Sequence, residues 1–450
     1  MAPKKRLVVI GAVAAGTSAA AKAKRSDPDL EVILLERGAQ ISYGACGLPY
    51  FIAGLIPSAD ALLSRTPQEF RKRGVDVRTQ HDVKQIDVAN KNLRVADLSK
   101  AQEYLLPYDC LVVATGAVPM RPPMPGLDLP GVFTLRTLAD GVALKAALQT
   151  KPPKSVVIVG GGYVGLEMAE AFRSLDLPVT IVESTPQLMV TLDEDMSELV
   201  LAEVEHNGAR VLLNDGLVGC EGSGRVRKVV TQHSEIPADL VLLAVGVRPN
   251  TSLAEQAGIQ LGARKAISVD GHLRTSVEWV YAAGDCVDTV HQVTGQKAYI
   301  PLGSTANKQG RVAGANVAGL GHTFDGVVGT AVAKVFDLEV ARTGLAHKQA
   351  AAAGFAVHSQ AITTKSRAHY YPGAARLVVK LIMDQESRRL LGAQLIGEEG
   401  AAKRIDVLAA AIYAKMTVDD LTRLDYSYAP PYASVWDPTL RAANVVGRLG

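Results

Sequence analysis

The sequence predicts an α/β protein with two Rossmann-like nucleotide-binding domains followed by a C-terminal α+β domain. Two units of strand, glycine-rich turn and helix lie about 150 residues apart, and 450 residues suffice for about three domains. About the last 125 residues carry strand and helix patterns without a glycine-rich fingerprint. The composition, 48% hydrophobic and 21% charged, is that of a folded globular chain and excludes disordered, collagen-like and coiled-coil proteins.

Charge and hydropathy limit the possible partners. The net charge of +3 is spread along the chain, whereas nucleic-acid binding needs a clustered basic face. No run of apolar residues is long enough to span a membrane. We therefore expect neither a nucleic-acid nor a membrane partner.

The beginning of the chain and its cysteines bear on location. A basic start followed by apolar Leu7–Ala15 resembles a secretory signal, but the second strand pattern at Glu31–Glu36 favours a strand that enters a helix. The four cysteines lie far apart, with no CxxC pair and no zinc spacing. We expect a cytoplasmic protein without a metal site, because the reducing cytosol is the usual setting for such cysteines.

Repeated strand patterns divide the chain into three domains. The first is predicted at residues 1–117 and 250–325, the second at 118–249 and the third at 326–450. A proline-rich passage at residues 119–130 marks the first crossing between domains. In the first two domains the predicted strands are Leu7–Ile10, Val32–Glu36, Cys110–Ala114, Ser155–Gly160, Asp239–Gly246 and Val280–Ala283, and a helix begins near Ser304. In the third domain the predicted elements are strands Ala331–Val335 and Glu339–Thr343, a hairpin of Leu377–Ile382 with Leu390–Ile396, a helix Ala401–Lys415, and a Pro- and Tyr-rich tail.

The second glycine motif is the cleaner of the two. Gly160, Gly162 and Gly165 fit GxGxxG between a strand and a helix, an arrangement that brings a pyrophosphate to backbone N–H groups. Glu183 ends the next strand, where a carboxylate binds a ribose 2′-hydroxyl and repels a 2′-phosphate. This domain is therefore predicted to bind NADH in preference to NADPH.

The first glycine motif is imperfect, because Val13 stands where the second glycine belongs between Gly11 and Gly16. Glu36 follows at the end of the next strand, as the fingerprint requires. Two further strand ends, Ala114-Thr115-Gly116 and Ala283-Gly284-Asp285, belong to the same domain, and Asp285 is placed to bind a polyol. Two nucleotide units and this aspartate predict FAD as a second nucleotide, with hydride passing from nicotinamide to flavin.

These segments resemble the pyridine nucleotide–disulfide oxidoreductases along nearly the whole chain. Members with two redox cysteines carry CxxxxC after the first domain's second strand, but here Phe51 stands five positions after Cys46, so no internal disulfide can form there. The segment SYGACGLPYF, residues 42–51, is instead similar to single-cysteine members: coenzyme A-disulfide reductases, sulfur or persulfide reductases, and NADH oxidases and peroxidases. The resemblance implies that Cys46 is the catalytic nucleophile at a helix start, where the helix dipole would lower the thiol pKa.

The resemblance also implies the residues that hold the cofactors. For the flavin and the nicotinamide nucleotide together they are Gly11, Val13, Ala14, Ala15, Gly16, Glu36, Arg37, Ser42, Val83, Ala114, Thr115, Gly116, Gly160, Gly162, Tyr163, Val164, Gly165, Glu167, Glu183, Gly246, Gly284 and Asp285.

The C-terminal domain resembles the dimerisation domain of coenzyme A-disulfide reductases. Disulfide reductases with two cysteines place a His–Glu pair from the partner subunit near the flavin, but the last histidine here is His369, before the tail. The segments around Tyr370 and Tyr428 match those in which a tyrosine crosses the dimer interface. The resemblance implies a homodimer in which these tyrosines are catalytic and protonate a leaving thiolate.

The coenzyme A contacts implied by position are Ser18, Lys22, Arg25, Ser42 and Asn307. Lys22 and Arg25 share a helix face and could meet phosphate, although a solvated basic face is the plain alternative. Two departures, Ala45 and Trp436, stand where some members carry polar or basic residues, and they predict weaker or different recognition of coenzyme A.

The sequence thus predicts an FAD-dependent reductase that passes hydride from NAD(P)H through flavin and Cys46 to coenzyme A disulfide, by way of a mixed disulfide. Three alternatives stay open: an NADH-dependent polysulfide or persulfide reductase, an NADH oxidase in which Cys46 cycles through a sulfenic acid, and a flavoprotein electron-transfer module that does not need Cys46.

Overall fold

A computed structural model describes residues 5–448, so the predicted domain limits at residues 1 and 450 lie outside the described residues. The first domain is built on a parallel five-stranded sheet. In spatial order its strands are Val280–Ala282, Cys110–Val113, Arg6–Ile10, Glu31–Glu36 and Val75–Thr79. The first four are mainly apolar and buried, as parallel strands covered on both faces must be, whereas the edge strand Val75–Thr79 alternates buried valines with an exposed Asp76. Its helices are Ala14–Ser26, Leu48–Ile52, Pro67–Arg71, Ser252–Gln256 and Gly303–Val317, and an antiparallel ribbon of His81–Asp87, Asn92–Asp97 and Gln102–Pro107 extends it.

Two helices of the first domain approach each other closely at small residues. Ala14–Ser26 packs on Gly303–Val317, and a methyl group at Gly310 would lie 2.2 Å from the carbonyl oxygen of Ala15. This contact brings the beginning of the first helix beside the loop after Ala282 and so gathers the nucleotide-binding turns at one sheet edge.

The second domain is also built on a parallel five-stranded sheet. Its parallel strands are, in spatial order, Arg210–Leu212, Val179–Val182, Val156–Val159, Leu240–Leu243 and Val132–Thr134. Its helices are Leu138–Thr150, Tyr163–Arg173 and Glu194–His206, with a small antiparallel sheet of Leu217–Glu221, Lys228–Thr231 and Glu235–Pro237. Ala117–Pro119 pairs with Val247–Pro249 where the chain crosses between the two sheets.

The third sheet is antiparallel. Its strands are, in spatial order, Ala331–Val335, Leu338–Gly344, Leu390–Gly397, Arg376–Asp384 and Val357–Lys365. Its helices are His347–Ala352, Ala401–Tyr413, Val418–Thr422 and Pro438–Arg448. The predicted hairpin is present, and the helix predicted to reach Lys415 ends at Tyr413 because Lys415 adopts a left-handed conformation with φ +57°.

The Pro- and Tyr-rich tail includes a helix that the sequence analysis does not predict. Residues Pro438–Arg448 form a helix that Asp437 caps by accepting a hydrogen bond from the Thr439 N–H at 2.9 Å. Proline at the first helical position favours this start rather than breaking it. Among residues 5–448, no helix is both long and apolar enough to cross a membrane.

Candidate active site

The second glycine loop has the shape of a pyrophosphate cradle. Gly160 has φ +109°, and a methyl group there would lie 2.5 Å from the carbonyl oxygen of Ala244. A methyl group at Gly165 would lie 2.0 Å from the oxygen of Gly160, whereas one at Gly162 would meet no atom of the described chain within 4 Å. The protein's own packing thus requires the first and third glycines, and the second borders open space that a phosphate group can enter.

The first glycine loop has the same closed positions. Methyl groups at Gly11 and Gly16 would lie 2.3 Å from the Ala114 oxygen and 1.7 Å from the Gly11 oxygen. Val13 takes the middle position and precedes the first residue of the helix, Ala14. The residue that makes this motif imperfect therefore stands at the position equivalent to Gly162, which in the second loop is free of packing contacts.

An acid at the end of the neighbouring strand braces each loop. Glu36 Oε2 accepts the backbone N–H of Ala12 at 2.9 Å, and Glu183 Oε2 accepts the N–H of Gly161 at 2.8 Å. Both carboxylates are half-buried at the mouth of their loop, where a ribose would lie.

Asp285 offers an unsatisfied acceptor beside the first loop. Its Oδ2 pairs with Arg136 Nη2 at 2.6 Å, whereas its buried Oδ1 accepts no hydrogen bond from any described residue. A buried acceptor of this kind needs a donor, and the hydroxyls of a ribityl chain supply one. Gly284 has φ +90°, and a methyl group added there would lie 2.8 Å from the Ala15 side chain, so only glycine fits this approach to the first loop. These residues fit FAD.

Arg136 was missed by the sequence reading. It precedes the helix Leu138–Thr150 of the second domain but binds an aspartate 149 residues further along the chain. No local pattern marks such a contact, because it depends on how two domains dock.

The other cofactor-binding candidates surround these loops. Thr115 and Gly116 lie after the strand Cys110–Val113, and the Thr115 hydroxyl donates to the carbonyl of Asn250 at 2.6 Å. Tyr163, Val164 and Glu167 occupy the first turns of the second loop's helix. The remaining candidates lie as follows: Ala14 and Ala15 begin the first helix, Ala114 follows a strand end, Arg37 and Gly246 are exposed, and Val83 is buried in the ribbon.

Cys46 lies in a 3₁₀ turn, Ala45–Gly47, that leads into the helix Leu48–Ile52. It is exposed, whereas Cys110, Cys220 and Cys286 are buried, and all four are free thiols. The prediction that its pKa is lowered is wrong: partial desolvation and the nearby Glu167 carboxylate raise the thiol pKa above its ordinary value, although Arg136 opposes them. Partial desolvation and the neighbouring acid therefore outweigh the lowering expected at a helix start.

Glu167 is the strongly shifted acid near the cysteine. Burial, with a smaller contribution from Glu170, raises its pKa from 4.5 to about 7. Its protonation therefore changes near neutral pH, and with it the charge that Cys46 meets.

The two predicted catalytic tyrosines meet on the third domain. Tyr370 and Tyr428 place their hydroxyl oxygens 3.0 Å apart, with side chains 64% and 46% exposed. The hydrogen bond between them raises the pKa of Tyr428. Both come from the same chain and leave much apolar ring surface uncovered.

The predicted coenzyme A contacts fall into two groups. Ser18, Lys22 and Arg25 follow one another along the first helix, and Ser18 accepts the amide of Asn307 at 2.9 Å from the neighbouring helix. Ser42 lies after the second strand with φ +52°, and its backbone N–H donates to the Ala12 carbonyl at 2.8 Å.

Within residues 5–448, no group of histidine, cysteine and acidic side chains is arranged to hold a metal ion.

Fold and site together define a two-nucleotide flavoenzyme with one accessible thiol. The chain belongs to the pyridine nucleotide-disulphide oxidoreductase family, whose model matches residues 5–310, and the family's dimerisation domain matches residues 330–439. This confirms the predicted fold and enzyme class, a flavin-dependent NAD(P)H oxidoreductase, and FAD and NAD(P)H are the cofactors that the family implies.

Individual relatives are similar over nearly the whole of this chain. The chain is 40% identical over 445 residues to the NAD(P)H sulfur oxidoreductase (CoA-dependent) of Pyrococcus abyssi, covering 98% of both chains. It is 37% identical over 442 residues to an NADH oxidase of Methanocaldococcus jannaschii, again covering 98% of both. The crystal structure of reduced Bacillus anthracis CoADR-RHD matches with a TM-score of 0.97 and 36% identity, covering 99% of this chain and 81% of that one.

Proposed function

We propose that this protein is an FAD-dependent reductase that uses NADH and Cys46 to reduce coenzyme A disulfide. The observation that carries the proposal is the exposure of Cys46 beside the loops that fit the flavin, while the other three cysteines are buried. The similarity to a structure named CoADR-RHD and to a CoA-dependent sulfur oxidoreductase supports the substrate class.

NADH is the proposed electron donor, held by Gly160, Gly162 and Gly165, and Glu183 favours it over NADPH. A 2′-phosphate would approach the Glu183 carboxylate, which already accepts the Gly161 N–H and the Thr185 hydroxyl, both within 2.9 Å. The negative charges of the phosphate and the carboxylate would repel each other. FAD bound at Gly11, Glu36 and Asp285 supplies the two-electron relay between the nicotinamide and the thiol.

Cys46 carries the disulfide exchange. Its thiolate attacks one sulfur of the substrate RSSR, so that a Cys46–S–S–R bond forms, the substrate S–S bond breaks and RS⁻ leaves. Two electrons from NADH then reduce the mixed disulfide, which releases a second RSH and restores the Cys46 thiolate. One NADH is consumed for two thiols.

Tyr370 and Tyr428 are proposed to protonate the leaving thiolate from the partner subunit. The match to the family's dimerisation domain and the exposed aromatic surface around the pair support a homodimer that buries them. Ser18, Lys22, Arg25, Ser42 and Asn307 are proposed to hold coenzyme A. We further propose a cytoplasmic location, where free cysteines stay reduced.

A second candidate is CoA-dependent reduction of sulfur or polysulfide, which the 40% identical Pyrococcus abyssi relative favours. It uses the same thiol on a different acceptor. Anaerobic turnover with coenzyme A disulfide and with polysulfide, each at equal NADH, distinguishes the two by the ratio of kcat/KM. Cys46→Ser should abolish both reactions while FAD stays bound, and Cys220→Ser is the control at a buried thiol. An electron-transfer module would keep full activity in Cys46→Ser.

A further inference from the structure

The segment that carries Cys46 has little stability of its own. Its helix, Leu48–Ile52, has five residues, fewer than an isolated helix needs to persist in water. Contacts with the rest of the protein must therefore hold Cys46 in place.

The first domain supplies one side of this support. Gly47, next to Cys46, lies so close to Leu62 that an added methyl group would be 2.3 Å from Leu62 Cδ2. Leu62 is buried, and the contact fixes the beginning of the cysteine segment.

The second domain supplies the other side through its helix Leu138–Thr150. Leu48 is buried against this helix at Gly141, where an added methyl group would lie 2.6 Å from Leu48 Cδ2. One turn further on, Lys145 Nζ donates to the carbonyl oxygen of Phe51 at 2.5 Å and lies 4.1 Å from the centre of the Phe51 ring. The bond satisfies one of the carbonyl groups that a helix end leaves without a partner, and a cation is favourable over an aromatic face.

From these contacts we infer that Lys145 is a positioning residue for Cys46. Phe51 stands five residues after Cys46, where two-cysteine members carry their second cysteine, and here its carbonyl and its ring bind the second domain instead. Lys145 touches neither substrate nor cofactor in this role. It acts by fixing the end of the short helix and, through that helix, the place of the thiol. The inference rests on the proposed use of Cys46 as the nucleophile.

The test compares Lys145→Met with Lys145→Arg in the FAD-loaded enzyme. Methionine keeps an unbranched stem but removes the cation, whereas arginine restores a donor and a charge. Lys145→Met should lower kcat with coenzyme A disulfide about tenfold, because small misplacements of a reacting group are costly. Its KM for NADH and its flavin content should stay at the wild-type values, and Lys145→Arg should recover most of the loss. Lys151→Met is the matched control, at an exposed lysine just beyond the same helix.

Two readouts separate positioning from general damage. NADH-dependent reduction of ferricyanide needs no thiol, so it should be unchanged in Lys145→Met. The iodoacetamide reaction of Cys46 should change in rate, since the segment is less restrained. Equal disulfide turnover in Lys145→Met and wild type would overturn the positioning role, and so would an equal loss of both activities. Full disulfide activity in Cys46→Ser, measured in parallel, would overturn the proposed function itself.

Discussion

The two glycine loops differ at one position and agree at the others. Gly11 and Gly16 in the first loop, like Gly160 and Gly165 in the second, leave no space for a methyl group beside a backbone carbonyl. The middle position holds Val13 in one loop and Gly162 in the other, and Gly162 faces open space. Close packing between strand and helix therefore requires glycine at the two outer positions, whereas contact with the ligand determines which residue fits the middle position.

The largest expected effect comes from filling an outer position. In Gly165→Ala the new methyl group would lie 2.0 Å from a carbonyl oxygen, so the loop must shift, at a cost of about 3 kcal/mol. Gly16→Ala should destabilise the first domain in the same way and release the flavin.

Gly162→Ala is the matched control. Its free energy of unfolding should stay within about 1 kcal/mol of the wild-type value, but it should bind NADH less tightly. Thermal unfolding, flavin absorbance after gel filtration and NADH titration measure these results. A strongly destabilised Gly162→Ala would contradict the division between packing and ligand.

The helices that follow the loops differ seven residues after the first glycine, where the second carries Glu167 and the first carries Ser18. Because the pKa of Glu167 rises from 4.5 to about 7 on folding, the folded state binds more protons over that range. The free energy of unfolding should therefore fall as pH rises from about 4.5 to 7, by up to about 3 kcal/mol.

Glu167→Gln removes this titration and tests it. The pH dependence of denaturant unfolding should flatten, and the pKa of Cys46 should drop because the carboxylate that raises it most is gone. The rate of Cys46 alkylation against pH reports the second effect. Identical pH profiles in the variant and wild type would contradict the assignment.

The bracing acids provide a smaller contrast. Glu183→Gln keeps a side-chain oxygen for the Gly161 N–H but removes the charge, so the preference for NADH over NADPH should fall about tenfold. Glu36→Gln should leave that preference unchanged and weaken flavin binding instead. The ratio of kcat/KM for the two nucleotides decides the first point, and a ratio that does not move would show that Glu183 does not select the nucleotide.

Val13→Gly should have the smallest effect. It introduces the consensus residue but adds backbone freedom before a helix, for a loss of about 1 kcal/mol or less. FAD affinity, measured by fluorescence titration of the apoprotein, should change less than tenfold. A large gain in affinity would mean that Val13 obstructs the ligand.

Local pattern was enough to predict most of the sheets and both loops, because glycine turns and buried strands leave strong sequence signals. The pair Arg136–Asp285 and the anchor at Lys145 were not predicted, since each joins domains that are distant in sequence. The shift in the pKa of Cys46 was predicted in the wrong direction. The prediction considered only the start of a helix, whereas partial desolvation and the Glu167 carboxylate, which is distant in sequence, raise the pKa. The helix Pro438–Arg448 was not predicted, because its first residue is one of the prolines that characterise the Pro- and Tyr-rich tail.

The most direct test of the account is anaerobic NADH oxidation with coenzyme A disulfide, in which the thiols released are counted for wild type and Cys46→Ser. The account predicts two thiols per NADH in wild type and none in the variant, with FAD bound in both. Thiol release that persists in Cys46→Ser, or NADH consumption without thiol release in wild type, would contradict it.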